Sequence, residues 1–457
     1  MNDTLKARKE LDPYGEENWD DDDLEINYYA FVDKIEALEN ERYIIHFDCV
    51  VKTQIDNISN PDSLTIQYEA FTTKMIICDF SARNFNEFKR SFKNDLKEND
   101  WLILNLSHEP TRFSVEVYPE DFESTQEPLD SYLASNCKKV NRRIQKKLDK
   151  IFALKASEIE LTKYVRDLKL NNLAKPKEDR YRSIKDIIVH DVGQGNFISI
   201  MGENDIPLAY FDVGGGAYRN AHTYPANKTK TICPAKDLFI VLSHWHNDHW
   251  WSFKRQLKNH PTWEVPKATW IVPDQKFGPG QKNFNELLLK NHQILIKWPK
   301  RKKSESFHFG TIIKCTAPEG NENKNHNGLA LLVKNSKYRV LLPGDAAYDS
   351  IDPKYVGEIT GLVATHHGGS YSIVNELIPA ATSSLGKIVY SYGAGNTYHH
   401  PSGASVINHY QNGWSDIRVT PSGSVSFMAT AAQIDLHNVT SKFGLGSDCD
   451  HVIKQGF

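Results

Sequence analysis

Apolar residues in this chain come in short runs, and the spacing inside each run decides what it can build. From about 26 to 122 the runs are β-branched or aromatic and bounded by turn residues: 28–35 (Tyr-Tyr-Ala-Phe-Val-Asp-Lys-Ile), 42–51, 74–78, 101–106 and 113–117. Five strands with one helical segment near 85–96 predict a small closed barrel over 26–127. The period then changes. Val140, Ile144, Leu148 and Ile151 recur at helical spacing among Lys138, Lys139, Arg142, Arg143, Lys146, Lys147 and Lys150, which predicts a basic amphipathic helix followed by a linker, 128–182, with the boundary around Pro176. Beyond Ser183, strand-like runs at 186–190, 207–212, 237–242, 268–272, 294–298, 311–316, 328–334 and 338–343 alternate with helices near 249–258 and 281–290. After Asp345 come strands at 361–365, 387–391 and 424–428 and helices near 371–380 and 402–411. The fold class is α/β, with the main domain over 183–430 and a C-terminal extension, 431–457.

Composition narrows this little. The 457 residues suffice for two domains with real cores, and 40% apolar with 11% aromatic residues is ordinary for a globular chain. A net charge of −3 advertises no general attraction to nucleic acid. Residues 1–25 are polar with an acidic run at Asp20–Asp23, and they read as a flexible acidic tail. Six scattered cysteines without CxxC spacing fit reduced thiols in the cytoplasm. There is no apolar signal core at Met1–Lys6 and no run of about 18 apolar residues, so no membrane contact is expected.

The chemistry concentrates in Ser243-His244-Trp245-His246-Asn247-Asp248-His249, where a buried strand opens into a loop. Neutral imidazoles and a carboxylate at this density suit a borderline divalent ion, Zn first, with Mn or Fe as alternatives. Two ligands could go to each of two ions. Asp191-Val-Gly-Gln-Gly195 and Phe211-Asp212-Val-Gly214 each close a strand, and Leu341-Leu-Pro-Gly344-Asp345 follows a hairpin. Thr365-His366-His367-Gly368-Gly369-Ser370 follows another strand, and Asn396-Thr-Tyr398-His-His400-Pro401-Ser402 comes last. No Walker A loop or Rossmann glycine pattern is present.

In this order the motifs resemble the metallo-β-lactamase fold, and within it the hydrolase domain of ComEC-type DNA-uptake proteins and its soluble relatives, over roughly 184–430. The resemblance implies an αββα sandwich and a dinuclear centre whose ions lie about 3.5–4 Å apart, with a metal-bound hydroxide as nucleophile. It implies His244 and His246 on the first metal, Asp248 and His249 on the second, and Asp345 bridging. His366 or His367 would complete the second metal, with a slight preference for His366 as nearer the strand end. Asn325-His326-Asn327 resembles the family's Asn-rich motif, so His326 would ligate the first metal, or Asn325 or Asn327 would organise the site by hydrogen bonds. Asp248 and His400 are expected to carry the chemistry, His400 by holding or protonating a phosphate. Asn396 and Tyr398 would orient its loop. Asp191 and Asp212 would support ligand histidines or cap turns. Trp245, Trp250 and Trp251 would either line the mouth or pack the start of a helix.

The expected function is therefore a metal-dependent phosphodiesterase, foremost a nuclease, holding two divalent ions. A hydrolase of a small phosphoester or nucleotide is the alternative within enzymes, and a metal-stabilised protein that docks a partner through its N-terminal domain is the non-catalytic one. The N-terminal barrel resembles a small module found beside soluble ComEC-like hydrolases. Its many Asp and Glu residues favour a structural or partner-docking role over nucleic-acid binding. The basic helix is either a solvated connector or a contact for a phosphate backbone.

Overall fold

The computed structural model describes residues 26–427 apart from 39–40, 62–70, 94, 108–113, 120–130, 175–183, 203–205, 226–231, 233–237, 260–266, 318–322, 336–337, 370–377 and 383–385. The expected acidic tail, the C-terminal extension, the linker around Pro176 and most of the helix near 371–380 lie outside the described residues.

Six antiparallel strands close a barrel: β1 Ile26–Leu38, β2 Arg42–Val51, β3 Thr73–Ser81, β4 Trp101–Ser107, β5 Ser114–Pro119 and β6 Ser131–Lys139, in the order β1-β2-β3-β5-β6-β4. The sixth strand corrects the sequence reading, which places 128–139 with the helical linker. Ser-Tyr-Leu-Ala-Ser-Asn-Cys-Lys-Lys has no β-branched residue to announce a strand. Pairing with both β4 and β5 is what leaves the barrel without an open edge. Two short helices, α1 Lys52–Asp56 and α2 Ala82–Arg90, follow β2 and β3. Alternation along β1 sends Tyr28, Ala30 and Val32 into the barrel interior and Tyr29 and Phe31 outward. A bulge then breaks the pleat. Val32 pairs with Phe47 and Lys34 with His46, so Asp33 is the extra residue.

The basic helix exists, as α3 Arg142–Ile151, with Asn141 accepting from the amides of Arg143 and Ile144 at 3.0 Å. It is followed by α4 Leu161–Ala174. Leu148 and Ile151 face the core, while Lys147 donates to the Ile55 carbonyl at 2.8 Å.

The remainder is a four-layer sandwich. One sheet runs β12-β11-β10-β9-β8-β7-β20. Its strands are β7 Ile184–Val189, β8 Phe197–Gly202, β9 Pro207–Val213, β10 Leu238–Val241, β11 Ala268–Val272, β12 Ile294–Lys297 and β20 Val425–Ser426. The other runs β13 Ser304–Phe307, β14 Gly310–Lys314, β15 Leu329–Lys334, β16 Arg339–Leu342, β17 Gly361–Val363, β18 Lys387–Tyr390 and β19 Asp416–Val419 in chain order. In each sheet an antiparallel meander gives way to parallel strands, β9 to β12 in the first and β16 to β19 in the second. The two sheets meet over Ile187, Ile198, Phe211, Val241, Leu331, Val340, Val363 and Val389. Helices α5 Trp251–Asn259 and α6 Pro279–Lys290 cover the outer face of the first sheet; α7 Pro353–Val356 and α8 Gly403–Gln411 follow strands of the second. The expected αββα layering is therefore present. Strands β8, β13 and β19 were not foreseen. No helix among the described residues is long and apolar enough to cross a membrane.

The barrel docks on the helical layer of the first sheet. Tyr29, Phe31 and Trp101 join Trp250, Trp270 and Phe284 in one apolar cluster. Asp48 caps the N-terminus of α6, accepting from the Gly280 amide at 2.9 Å. A side chain at Gly278 would put its Cβ 2.3 Å from that carboxylate. Arg219 pairs with Glu116 and Asp79 of the barrel, and Lys324 with Asp33. Glu98, 6% exposed, accepts from the amide of Ile35 at 3.0 Å and from Asn323 at 3.2 Å.

Burial pushes the Glu98 carboxyl from its ordinary 4.5 up to about 7, against the hydrogen bonds that favour the carboxylate. The folded chain thus holds this proton more tightly than the unfolded one between those values, so stability is present at low pH and falls as pH rises through that window. Glu98→Gln should remove this loss. Urea unfolding at pH 5 and pH 8 should show the variant gaining up to about 3 kcal/mol on the wild type across the interval. A constant difference would show that Glu98 does not titrate there.

Candidate metal centre

The parallel strands of the two sheets deliver their C-terminal ends to one place. From β10 come Ser243 to His249, ending in a 3-10 turn at Asn247–His249. Asp345 follows β16, His366 and His367 follow β17, and His400 lies in the loop after β18. Asp212 closes β9. Two glycines permit this convergence. A Cβ at Gly214 would lie 1.7 Å from the Asp248 carbonyl oxygen, so only glycine lets the histidine loop close on β9. Gly344 has φ +61° and backs onto Ser243, which sets Asp345 against the same loop.

The side chains form two sets that share one carboxylate. His244, His246 and Asp345 make the first; Asp248, His249, His367 and Asp345 make the second. In each set the candidate ligand atoms lie within 4.8 Å of one another. Asp345 Oδ2 faces His244 Nε2 at 3.7 Å, and its Oδ1 faces His249 Nε2 at 3.2 Å and His367 Nε2 at 3.6 Å. Asp248 Oδ2 is 3.3 Å from His367 Nε2.

The opposite nitrogen of every imidazole in these sets is held. His249 Nδ1 meets Asp212 at 2.7 Å, and His367 Nδ1 meets the Ser391 carbonyl at 2.7 Å. His244 Nδ1 meets Ser243 Oγ at 3.0 Å, and Ser243 is itself fixed by Asp212. His246 presents Nδ1 to the cluster because its Nε2 meets the Asp33 carbonyl of the barrel at 3.1 Å. Such outer partners fix ring orientation and tautomer.

Charge states agree with this. Burial would raise Asp248 and Asp345, but His249 foremost, with His367, holds both well below the carboxylate range. Burial holds His244 well below its ordinary value and pushes His246 down to about 4, whereas His249 is the exception, held well above its ordinary value against burial by Asp345, Asp212 and Asp248. Ionised carboxylates and neutral imidazoles are the forms that ligate metals. Both Asp345 oxygens and the Nε2 atoms of His249 and His367 are buried without a hydrogen bond. Buried polar atoms are rarely left so. A pair of divalent ions would satisfy them, and imidazole with carboxylate is the donor set such ions take.

Of the two histidines after β17, the geometry brings His367 into the second set. His366 and His367 both adopt left-handed backbone, φ 50° and 57°, and the consecutive turns splay their rings. His366 meets Glu36 of the barrel at 3.2 Å, lies with it and His400 in a third buried group, and has its Nε2 3.8 Å from Asp345 Oδ2. His326 is outside all three groups, and its Nδ1 accepts from the Ala347 amide at 3.2 Å. Asn325 is buried with no hydrogen bond to its side-chain amide, and Asn327 donates to the Asn323 carbonyl.

The structure places Asp212 beneath His249, whereas the Asp191 carboxylate accepts from Gly193 within its own turn, at 3.4 Å. Asn396 clamps the His400 loop by bonding both the amide and the carbonyl of His400. Tyr398 reaches the barrel instead, 3.1 Å from His46. The three indoles belong to the core: Trp245, Trp250 and Trp251 are at most 3% exposed, and Trp250 stacks on Phe284.

Sequence reasoning missed the barrel's share of the site. Asp33, Lys34, Glu36 and His46 all reach it from β1 and β2. The available signal was three charges, Asp33, Lys34 and Glu36, in the middle of an otherwise apolar strand.

No family model and no curated protein matches the chain. Among solved structures, the metallo-β-lactamase-fold protein YhfI of Bacillus subtilis is similar over 53% of this chain and 100% of its own, at 12% identity and a TM-score of 0.34.

Asp212 orients His249 without reaching a metal position itself. Asp212→Asn should therefore weaken binding at the second set by about 10–100-fold and at the first, which it reaches through Ser243, by less. Competition with a chelator, read as ions retained per chain, measures this. Equal loss at both sets, or at neither, would refute the assignment.

Proposed function

We propose that the protein is a metal-dependent hydrolase of phosphoesters, acting on a small phosphoester or a strand end. The shared carboxylate of Asp345, one oxygen toward each histidine set, carries this reading. His244, His246 and Asp345 would hold one divalent ion, Zn or Mn, and Asp248, His249, His367 and Asp345 the other. Ions held there would supply Lewis acidity and a water acidic enough to ionise at about neutral pH.

The chain's own groups would do the rest. His400 is kept neutral by burial first and by His366 second. Gln194 Nε2 lies 3.3 Å from His400 Nδ1, while the Gln194 carbonyl oxygen accepts from the Gly393 amide at 3.4 Å. With the amide so oriented, the ring proton sits on Nε2, where it can be given to a phosphoryl or leaving-group oxygen. Asp33 and Lys34 of the barrel line the recess together with Tyr398.

Access favours a compact substrate. The recess beside His246 and Asp248 is narrow, and barrel residues form one wall. Two cations of the basic stretch are also engaged internally, Lys147 at Ile55 and Lys139 at Asp95 and Asp100. Cleavage inside a duplex is therefore the less supported reading.

The test is a substrate panel on Mn- or Zn-loaded protein: bis(p-nitrophenyl) phosphate, single-stranded DNA, duplex DNA and RNA. The small diester and single strands should be cut, with duplex slower. Asp345→Ala should lose one of two bound ions and roughly 10³-fold or more in turnover, because several kcal/mol of charge stabilisation go with it. Full activity in that variant, or an inert wild type, would end the reading.

A further inference from the structure

The recess is lined on one side by the barrel, and Lys34 is the sole lysine or arginine among its described lining residues. It is 4% exposed. Its ammonium lies 3.0 Å from Glu36 Oε2 and 4.5 Å from the centre of the Tyr398 ring. A desolvated ammonium is expensive, and a fold keeps one only with partners or a use.

Docking does not account for it. Asp48, Arg219, Glu98 and the Asp33–Lys324 pair already join barrel to sandwich. The ion partner of Lys34 is Glu36, two residues along the same strand, and its contact across to the sandwich is the uncharged face of the Tyr398 ring. An ammonium carries three donors, more than the one carboxylate oxygen beside it can take. The bulge adds a second argument. Tyr28, Ala30, Val32 and Ile35 pack in the barrel interior, so in a regular strand Lys34 would share the parity of Val32 and point inward. The extra residue, Asp33, turns Lys34 and Glu36 outward to the recess. Bulges of this kind re-aim side chains beside active sites.

We propose that Lys34 is the anion anchor of the site: the barrel lends it to hold the substrate's phosphoryl oxygens beside the metal-ligand sets, and Glu36 positions it. The substrate class rests on the phosphoester reading above. The anchor also makes the barrel a part of the binding site.

The test is calorimetric titration of inorganic phosphate into the full-length, metal-loaded chain, with metal content and melting temperature measured on each sample. The wild type should bind phosphate. Lys34→Met should bind it about tenfold or more weakly with metal content unchanged, because a charge-assisted hydrogen bond is lost. Glu36→Gln should bind about threefold or more tightly, because the carboxylate competing for the ammonium is gone. Lys34→Met binding like the wild type, or a wild type that binds no phosphate, overturns the anchor. Should Lys34→Met fail to fold, Glu36→Gln decides: unchanged or weaker binding overturns it. Turnover plays no part in this readout. A wild type that binds phosphate through Lys34 but cuts nothing supports the anchor and ends the hydrolase reading.

Discussion

A single carboxylate, that of Asp345, ties the two sheets together chemically. It is 1% exposed and faces imidazoles that come from the other sheet and from its own. Burying a charge in this way is costly unless it is matched, and the matching constrains everything nearby. His244 and His249 must approach from β10, which requires Gly214 where any side chain would strike the histidine loop. His367 must approach from β17, which requires two successive left-handed residues. Each ring must then be held from behind, by Asp212, Ser243, the Ser391 carbonyl or the Asp33 carbonyl. The strained turn and the tight glycine contacts are consequences of placing that one carboxylate between two sets of donors.

Much of this was legible in the sequence because it is local. His244 to His249 are contiguous, and Asp345 is announced by the Pro-Gly turn before it. Choosing between His366 and His367 was beyond the sequence, since the answer lies in backbone dihedrals that favour glycine and that no pattern of histidines reveals. The apolar strands between the sheets, such as β9 and β15, were plain; the polar edge strand β13 was not, because a half-exposed Ser-Glu-Ser-Phe shows no apolar run. The sixth barrel strand failed for a related reason. Its residues lack strand propensity, and it is a strand because two neighbours need its backbone.

The barrel was expected to be a separate module. Its outward residues instead belong to the same apolar cluster as the helices over the first sheet, and its carboxylates cap α6 and face Lys324. Its backbone even fixes a ring: His246 is oriented by a carbonyl of β1. Two units that share one core and one set of polar contacts behave as one body. Their apposition is paid for by apolar burial and refined by charge.

The bulge at Asp33 has a meaning for how such a site can arise. A β-strand is a binary device, its side chains assigned to one face or the other by parity alone. A residue left out of the pairing reverses the relation between sequence parity and face for everything downstream. Before it, β1 presents aromatic rings to a dry contact; after it, the same outward face presents an ammonium and a carboxylate to a polar cleft. Leaving one residue out of the pairing therefore turns toward the cleft charges that the same sequence, regularly paired, would bury in the barrel. Pairing Asp33 regularly would send the same charges in among Ile45, Phe47 and Leu102. Whether this protein has a site with a barrel wall, or a barrel with a poisoned core, comes down to the parity of one strand.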